Sequence, residues 1–246
     1  MTSLRKTQTV TQHDGKIVKF FTSNACWRKA YATGKSSWET SNLKYAKLLV
    51  PNPDVVLDIG ANIGQEAIYY SDWANQVHSF EPVPEIFRLL QANVLQNNIT
   101  NVKLYQVGVS NFEGSALIDF LVGNEGRSHI TETEGKNTYR IDLVRIDDLE
   151  LEGKIDFVKM DVEGFELNAL NGMKNLIENH SPVCQIEAHE NNLIRQNVTS
   201  EDIWDFFNSR GYEATIATGR KIERHNCLRK DRSRCDLFFK NTNNRK

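Results

Sequence analysis

The sequence predicts an α/β fold, a doubly wound and mostly parallel sheet of seven strands with a terminal β-hairpin. Short apolar runs alternate with helical patterns from Pro51 onward, and this order is typical of a parallel sheet with helices on both faces. The first apolar run, VVLDIG at 55–60, ends in a glycine turn that opens a helix. The last two runs, YEATIAT and CDLFFKN, flank a basic loop as the arms of a hairpin do.

The other elements follow from the same kind of pattern. Strands are predicted where short apolar runs are bounded by glycine, proline or polar residues. The runs between the first strand and the hairpin are 77–82, 102–109, an excursion formed by GSALIDFLVG and NTYRIDLVRIDDL, then KIDFVKM and PVCQIEAHE. The polar segment NEGRSHITETEGK within the excursion is predicted to lie over a site.

Helices are predicted where apolar residues recur with helical spacing. They cover residues 63–74, residues 84–98, the segment ELNALNGMKNLIENH, and the segment from Thr199 to about Arg210. Pro84 suits the first turn of its helix. Thr199 with Asp202 three residues later matches the pattern of a helix N-cap.

The chain is predicted to have two parts, an N-terminal extension over residues 1–50 that packs on a core domain over residues 51–246. The extension is weakly patterned and carries Trp27, Tyr31, Trp38 and Tyr45. Aromatic side chains bury well without any ligand, so we expect them to cap the core.

Composition narrows the class of protein. The four cysteines include no CxxC pair, and the 246 residues can bury a core without disulfides. The N-terminus lacks the apolar stretch of a signal peptide, and no segment is long enough for a membrane span. These features predict a cytoplasmic protein. A formal net charge of -2 argues against a general attraction to nucleic acid.

The strongest local signal is DIGANIG at 58–64. Gly60 and Gly64 flank Asn62 at the turn from the first strand into the first helix. Glycines there allow positive φ and close approach of a ligand to the backbone. Amides at a helix N-terminus attract a carboxylate or phosphate, and ligands of doubly wound sheets bind at the carboxyl ends of the strands.

The position of Glu81 indicates that the ligand contains adenosine. It ends the second strand, 21 residues after Gly60, where an acid can accept hydrogen bonds from both ribose hydroxyls. The nicotinamide fingerprint requires glycine where Asn62 stands, and the GK[ST] of a P-loop is absent. With Asp58 added, the pattern favours a cofactor site over an ordinary tight turn.

Five motifs together resemble a known family. DIGANIG, FEP, VGVSNFEG, RIDDL and KMDVEGFELNALNGM occur in the order found in FkbM-type methyltransferases, and the resemblance runs from about residue 54 to residue 190. It implies a class I, Rossmann-like methyltransferase fold. It also implies transfer of a methyl group from S-adenosylmethionine to a hydroxyl of a sugar or small natural product.

The resemblance implies roles for individual residues. Gly60, Asn62 and Gly64 would cradle the cofactor, and Glu81 would hold the ribose with Pro82 beside it. The remaining implied contacts are Val109 and Ser110 at the adenine, and Asp161 and Glu163 near the methionine half and the acceptor.

Methyl transfer to a hydroxyl needs alignment and a base near the strand ends. The candidate catalytic residues are Asp161, Glu163, Glu187 and His189. Residues 187 and 189 share one face of their strand, and histidine has an ordinary pKa near neutrality, although a structural histidine is the alternative. Asp161, Glu187 and His189 also resemble the ligands of a divalent metal, but their spacing does not establish a metal site.

The basic segment 219–235 bears on the acceptor. It holds seven Lys or Arg residues against two Asp or Glu, and it is predicted to emerge on the cofactor side of the sheet, where it would steer an anionic small molecule or glycan. Two alternatives stay open. One is an RNA ribose 2'-O-methyltransferase, which would need a continuous basic track with stacking aromatics. The other is a cofactor-binding protein without catalytic activity.

Overall fold

The computed structural model describes residues 7–11, 15–22, 40–121, 128–224 and 235–243. The strands in these ranges are β1 (Thr7–Thr11), β2 (Ile17–Phe21), β3 (Val55–Ile59), β4 (Gln76–Phe80), β5 (Val102–Tyr105), β6 (Gly108–Val109), β7 (Gly114–Asp119), β8 (His129–Thr131), β9 (Thr138–Val144), β10 (Ile155–Met160), β11 (Val183–Ala188), β12 (Tyr212–Thr215), β13 (Lys221–Ile222) and β14 (Cys235–Asn241). The helices are α1 (Thr40–Leu49), α2 (Gln65–Ser71), α3 (Pro84–Gln96), α4 (Glu166–Asn171), α5 (Lys174–His180), α6 (Glu190–Leu193) and α7 (Ser200–Asn208), with short 3-10 turns at Ile146–Asp148 and Ile194–Gln196.

The central sheet has the order β13-β12-β14-β11-β10-β3-β4-β5. The five strands from β11 to β5 are parallel, whereas β14 runs antiparallel to both β11 and β12. This confirms the doubly wound α/β fold. The predicted count of seven strands is wrong by one, because the two-residue strand β13 adds to the edge beside β12. The two arms of the predicted hairpin, β12 and β14, are paired antiparallel neighbours.

The predicted strand 102–109 divides between two sheets. Its first half, β5, joins the central sheet, and its second half, β6, pairs with β9 in a four-stranded sheet of order β6-β9-β7-β8. The change of partner is visible in the backbone. The N–H of Glu81 donates to Tyr105 O at 3.0 Å, and the N–H of Ser110 donates to Val144 O at 2.8 Å. The excursion seen in the sequence is therefore a small sheet of its own.

The predicted helix ELNALNGMKNLIENH is two helices, α4 and α5. A Cβ on Gly172, which lies between them, would be 1.8 Å from the carbonyl oxygen of Ser110, so the chain touches a neighbouring backbone there. The carboxylate of Asp147 then accepts the N–H groups of Asn175 and Leu176 at 3.1 and 2.9 Å. These contacts end one helix and start the next. The N-cap predicted at Thr199 is confirmed, with reciprocal bonds to Asp202.

The described part of the N-terminal segment packs on the core. Val10, Val18 and Phe20 of the β1–β2 hairpin form an apolar cluster with the start of α3 and the four-stranded sheet. Tyr45 packs edge-on against Phe238 at 5.0 Å between ring centroids. Trp27, Tyr31 and Trp38 lie outside the described residues, and the domain boundary at residue 50 stays a prediction. Within the described ranges, no helix has the length and apolarity needed to cross a bilayer.

Candidate active site

A cleft opens at the carboxyl ends of β3, β4 and β10, where the sequence predicts the site. It encloses about 720 Å³, including the open solvent at its mouth. Seven predicted site residues line it: Gly60, Asn62, Glu81, Pro82, Val109, Asp161 and Glu163. Five others do not: Asp58, Gly64, Ser110, Glu187 and His189.

The glycine loop is shaped by its contact with the next strand end. Gly60 has φ +82°, and a Cβ there would be 1.8 Å from the carbonyl oxygen of Asp161, so only glycine fits. The five N–H groups from Gly60 to Gly64 all donate within the chain, to Phe80, Glu81, Asn62 and Ala61. Three of these bonds go to Phe80 and Glu81 and hold the loop on the end of β4, and the other two stay within the loop. The first amides of α2 lie beyond these five, so binding of an anionic group at that helix N-terminus stays a prediction.

Glu81 is the buried acid of the cleft, with 6% of its surface exposed. Its Oε2 accepts the N–H of Asn62 at 3.0 Å, and its Oε1 accepts the N–H of Val83 at 2.9 Å. Burial raises the pKa of Glu81 to about 7, against the opposing effect of these two hydrogen bonds. A carboxylate has about four acceptor positions, so each oxygen keeps capacity for one more donor.

Lys159 is a buried cation beneath the glycine loop that the sequence analysis did not select. Its Nζ lies 3.9 Å from Asp58 Oδ1 and 3.9 Å from Asp161 Oδ2, and it donates to Gly60 O at 3.2 Å. Burial raises the pKa of Asp58 to about 7, because it outweighs the attraction of Lys159, and Glu66 and Asp161 add to the rise. Asp58 thus acts on the loop through Lys159, which donates to Gly60 O. The only sequence signal for Lys159 is a lysine inside an apolar strand.

The loop after β10 is held in place by two further residues. Glu166 accepts the N–H groups of Val162 and Gly164 through one carboxylate oxygen, at 3.3 and 3.1 Å. Asn192 donates its side-chain amide to Glu163, which has φ +53°. Burial raises the pKa of Glu166 to about 7. These bonds hold the loop that carries Asp161 and Glu163, both of which line the cleft.

Comparison with known proteins identifies the family. Residues 58–214 match the family model for the methyltransferase FkbM domain. The chain belongs to the FkbM methyltransferase family. It is 35% identical over 139 residues to the hexuronic acid methyltransferase AglP of Haloferax volcanii, a match that covers 55% of this chain and 56% of AglP. The chain spans only 56% to 62% of the lengths of three curated relatives that it matches.

Solved structures share the fold of this FkbM-family chain. A methyltransferase FkbM from Methylobacillus flagellatus superposes with a TM-score of 0.51 at 21% identity, over 79% of this chain and 47% of that one. A Streptococcus mutans protein crystallised in complex with SAH gives 0.50 at 10% identity, over 81% and 94%. These likenesses confirm the class I methyltransferase fold.

In this FkbM domain, Glu187 and His189 leave the sheet at the same edge as Asp161 but stand outside the cleft lining. Glu187 is buried opposite Asp236 of β14. The carbonyl of His189 accepts the N–H groups of Asn192 and Leu193, and its Nδ1 is buried without a hydrogen-bond partner. Among the residues that the structure describes, no three His, Cys, Asp or Glu side chains group as metal ligands, so the suggested metal set is not assembled.

The four-stranded sheet supplies the other wall of the cleft. Ile118, Ile130, Ile141 and Leu143 line it together with Ser128 and His129. Of the described residues 128–136 of the segment NEGRSHITETEGK, Ser128, His129 and Ile130 line the cleft. A position of the whole segment over a site stays a prediction. His129 is a polar lining residue that sequence reasoning missed, because no motif surrounds it.

Most of the basic segment 219–235 lies outside the described residues, including Arg229, Lys230 and Arg232. Two of its described cations are neutralised. Arg224 pairs with Asp205 at 2.8 Å and with Glu201, and Lys221 pairs with Glu213 at 2.7 Å. The acids that pair with these two residues come from α7 and β12.

Proposed function

We propose that this chain transfers a methyl group from S-adenosylmethionine to a hydroxyl oxygen of an acidic sugar or another small anionic metabolite. The observation that carries the proposal is Glu81, a buried acid fixed by the N–H groups of Asn62 and Val83 at the end of β4. It lines a cleft that is also lined by Asp161 and Glu163 of the loop after β10. Family membership over residues 58–214 supports the same assignment.

The cleft residues fit the parts of the cofactor. The oxygens of Glu81 would accept the two ribose hydroxyls, and the apolar surface of Phe80, Val83 and Val109 would suit an adenine ring. The positively charged sulfonium is favoured beside the acids Asp161 and Glu163. When bound, S-adenosylmethionine supplies an activated methyl group that any well-placed nucleophile can take.

Asp161 is the base we favour. Its carboxylate is one-quarter exposed at the cleft and is held 3.9 Å from Lys159, whereas Glu163 is engaged by Asn192. Asp161 would accept the proton of the acceptor hydroxyl as the oxygen forms its bond to the methyl carbon and the carbon–sulfur bond breaks. The walls of the cleft would hold the two reactants in line.

The acceptor is proposed to be anionic for two reasons. AglP, the relative with 35% identity, is named as a hexuronic acid methyltransferase. The basic segment also ends at Cys235, which pairs with Ala188 at the carboxyl edge of the parallel strands, the edge that carries the cleft. Positive charge near that edge would increase the encounter rate of anions.

Labelled methyl transfer tests this assignment. The acceptors are an oligosaccharide ending in a hexuronic acid, its counterpart ending in a neutral hexose, and unmodified RNA. We expect the acidic sugar to be methylated with the highest kcat/KM, and that value to fall as salt screens charges over about 8 Å. Methylation of RNA alone, or no transfer to any acceptor despite cofactor binding, would contradict the proposal.

Two variants test the base. Asp161→Asn should lower kcat by about two to four decades, the range for loss of a general base, with the unfolding transition retained. His189→Ala is the comparison, and it should retain most of the turnover because His189 does not line the cleft. If His189→Ala loses as much turnover as Asp161→Asn across pH, the base is His189 instead.

A further inference from the structure

Asn93 of α3 joins the N-terminal hairpin to the glycine loop. Its Oδ1 accepts the N–H of Phe21 at 2.6 Å, and its Nδ2 donates to Phe21 O at 3.1 Å and to Ile63 O at 2.8 Å. Gln96 donates to the same Oδ1 at 2.8 Å. Two donors and two acceptor positions are all occupied, and the side chain is fully buried.

Asn97, one helical turn later, makes the same clamp without the connection to the loop. Its Oδ1 accepts the N–H of Lys19 at 3.0 Å, and its Nδ2 donates to Lys19 O at 2.8 Å. Its other bond goes to Asn93 O within the same helix. The two asparagines therefore hold alternate residues of β2, and of the two only Asn93 reaches Ile63.

We propose that Asn93 is a positioning residue that makes the N-terminal hairpin part of the cofactor site. Ile63 lies between Asn62, whose N–H holds Glu81, and Gly64, the residue that precedes α2. A shift of the Ile63 peptide therefore moves the amide that orients the ribose-binding acid. The inference rests on the proposed function only where it concerns the cofactor.

Docking of the β1–β2 hairpin and ordering of the glycine loop are coupled because Asn93 uses all of its hydrogen-bonding positions to join them. If the hairpin leaves, the buried side chain loses both of its bonds to Phe21 and keeps only those to Ile63 O and from Gln96, so one donor and one acceptor position are left unsatisfied. If the loop moves, the same amide leaves a buried carbonyl of Ile63 without a donor. The docked hairpin favours the ordered loop, and the ordered loop favours the docked hairpin. Ligand binding therefore raises the equilibrium constant for hairpin docking by the same factor as docking raises the affinity for the ligand.

The test compares Asn93→Ala with the matched control Asn97→Ala. Hydrogen exchange of the amides from Gly60 to Gly64, measured without ligand, should be faster in Asn93→Ala than in Asn97→Ala. The Kd of S-adenosylhomocysteine should rise about five- to 150-fold in Asn93→Ala, the usual range of coupling, and change little in Asn97→Ala. Equal loop exchange in the two variants would overturn the inference.

The two readouts separate the inference from the proposed function. If the wild type binds no S-adenosylhomocysteine but loop exchange still differs, the methyltransferase proposal fails and the positioning role stands. Should Asn93→Ala not fold, Phe21→Pro and Lys19→Pro replace the pair, because each removes one N–H that donates to Asn93 or to Asn97. Phe21→Pro alone should then speed exchange in the loop, and equal exchange would again overturn the inference.

Discussion

Lys159 brings together residues that are a hundred positions apart in the chain. Its ammonium group approaches Asp58 and Asp161 and bonds the carbonyl of Gly60. A buried charge is costly unless it is paired, and here the cation offsets the repulsion among acids beneath the loop. The geometry of the glycine turn therefore depends on a residue of another strand.

The buried carboxyl group of Glu81 predicts that cofactor binding depends on pH. Because burial raises the pKa of Glu81 to about 7 and ribose hydroxyls donate to the ionised form, binding favours loss of its proton. The affinity for S-adenosylhomocysteine should rise by up to about tenfold per pH unit below pH 7 and level off above it. Calorimetry between pH 6 and 8 measures this.

Glu81→Gln is the control for this titration. It should bind more weakly and show a smaller pH dependence, the remainder coming from Asp58, which also has a pKa of about 7 and faces the same Lys159. An affinity of the wild type that is flat across this range would show that Glu81 does not meet the ribose as a titrating acid.

The sequence predicts site residues that lie at the ends of consecutive strands. It does not predict residues whose role depends on contacts with distant parts of the chain. Gly60 and Glu81 stand at the ends of consecutive strands, so their convergence follows from a parallel sheet. Lys159, Asn93 and Glu166 act on backbone groups whose position depends on tertiary packing. Asp58 is predicted to contact the ligand because it is adjacent to the turn. It does not line the cleft, and its Oδ1 lies 3.9 Å from Lys159 Nζ beneath the loop.

At the level of elements, a carboxylate from a distant turn decides where a helix starts. Asp147 belongs to the RIDDL segment, which matched the family motif, and its structural role is to cap α5 through Asn175 and Leu176. The apolar periodicity predicts one continuous helix over α4 and α5. It does not reveal the cap by Asp147 or the approach of Gly172 to Ser110. The break exists because Gly172 lies against the backbone of Ser110.

Removing this cap should destabilise the protein by a predictable amount. Asp147→Ala should lower the free energy of unfolding by about 0.5–2 kcal/mol, the cost of losing a capping side chain. Asp148→Ala is the matched control, because its half-exposed carboxylate makes only a 3.5 Å ion pair with Arg145. Urea unfolding of both variants measures the difference, and equal stability would refute the capping role.

At the level of the whole molecule, three buried carboxyl groups set how stability responds to pH. The pKa values of Asp58, Glu81 and Glu166 are raised to about 7, whereas in an unfolded chain these groups have pKa values of about 4. Between these values the folded state binds more protons, so the free energy of unfolding falls as pH rises. His78, whose pKa burial lowers to about 4, opposes this below about pH 6.5 with a single proton.

The ligand-free protein should therefore melt at a lower temperature at pH 7.5 than at pH 5. Glu166→Gln is the informative variant, because it removes one of the three titrations at a side chain that does not itself line the cleft. Its melting temperature should change less steeply over the same range. A wild-type melting temperature that rises with pH, or a slope that Glu166→Gln leaves unchanged, would contradict this account.

The position of β14 imposes an order on folding. This strand comes last along the chain yet pairs with both β11 and β12, and the unit of β12 and β13 reaches the rest of the sheet through it. On a ribosome, β11 therefore presents an unpaired edge from its synthesis until residues 235–241 have emerged. Such an edge can pair with other chains, so the interval before β14 arrives is when this protein is most exposed to aggregation.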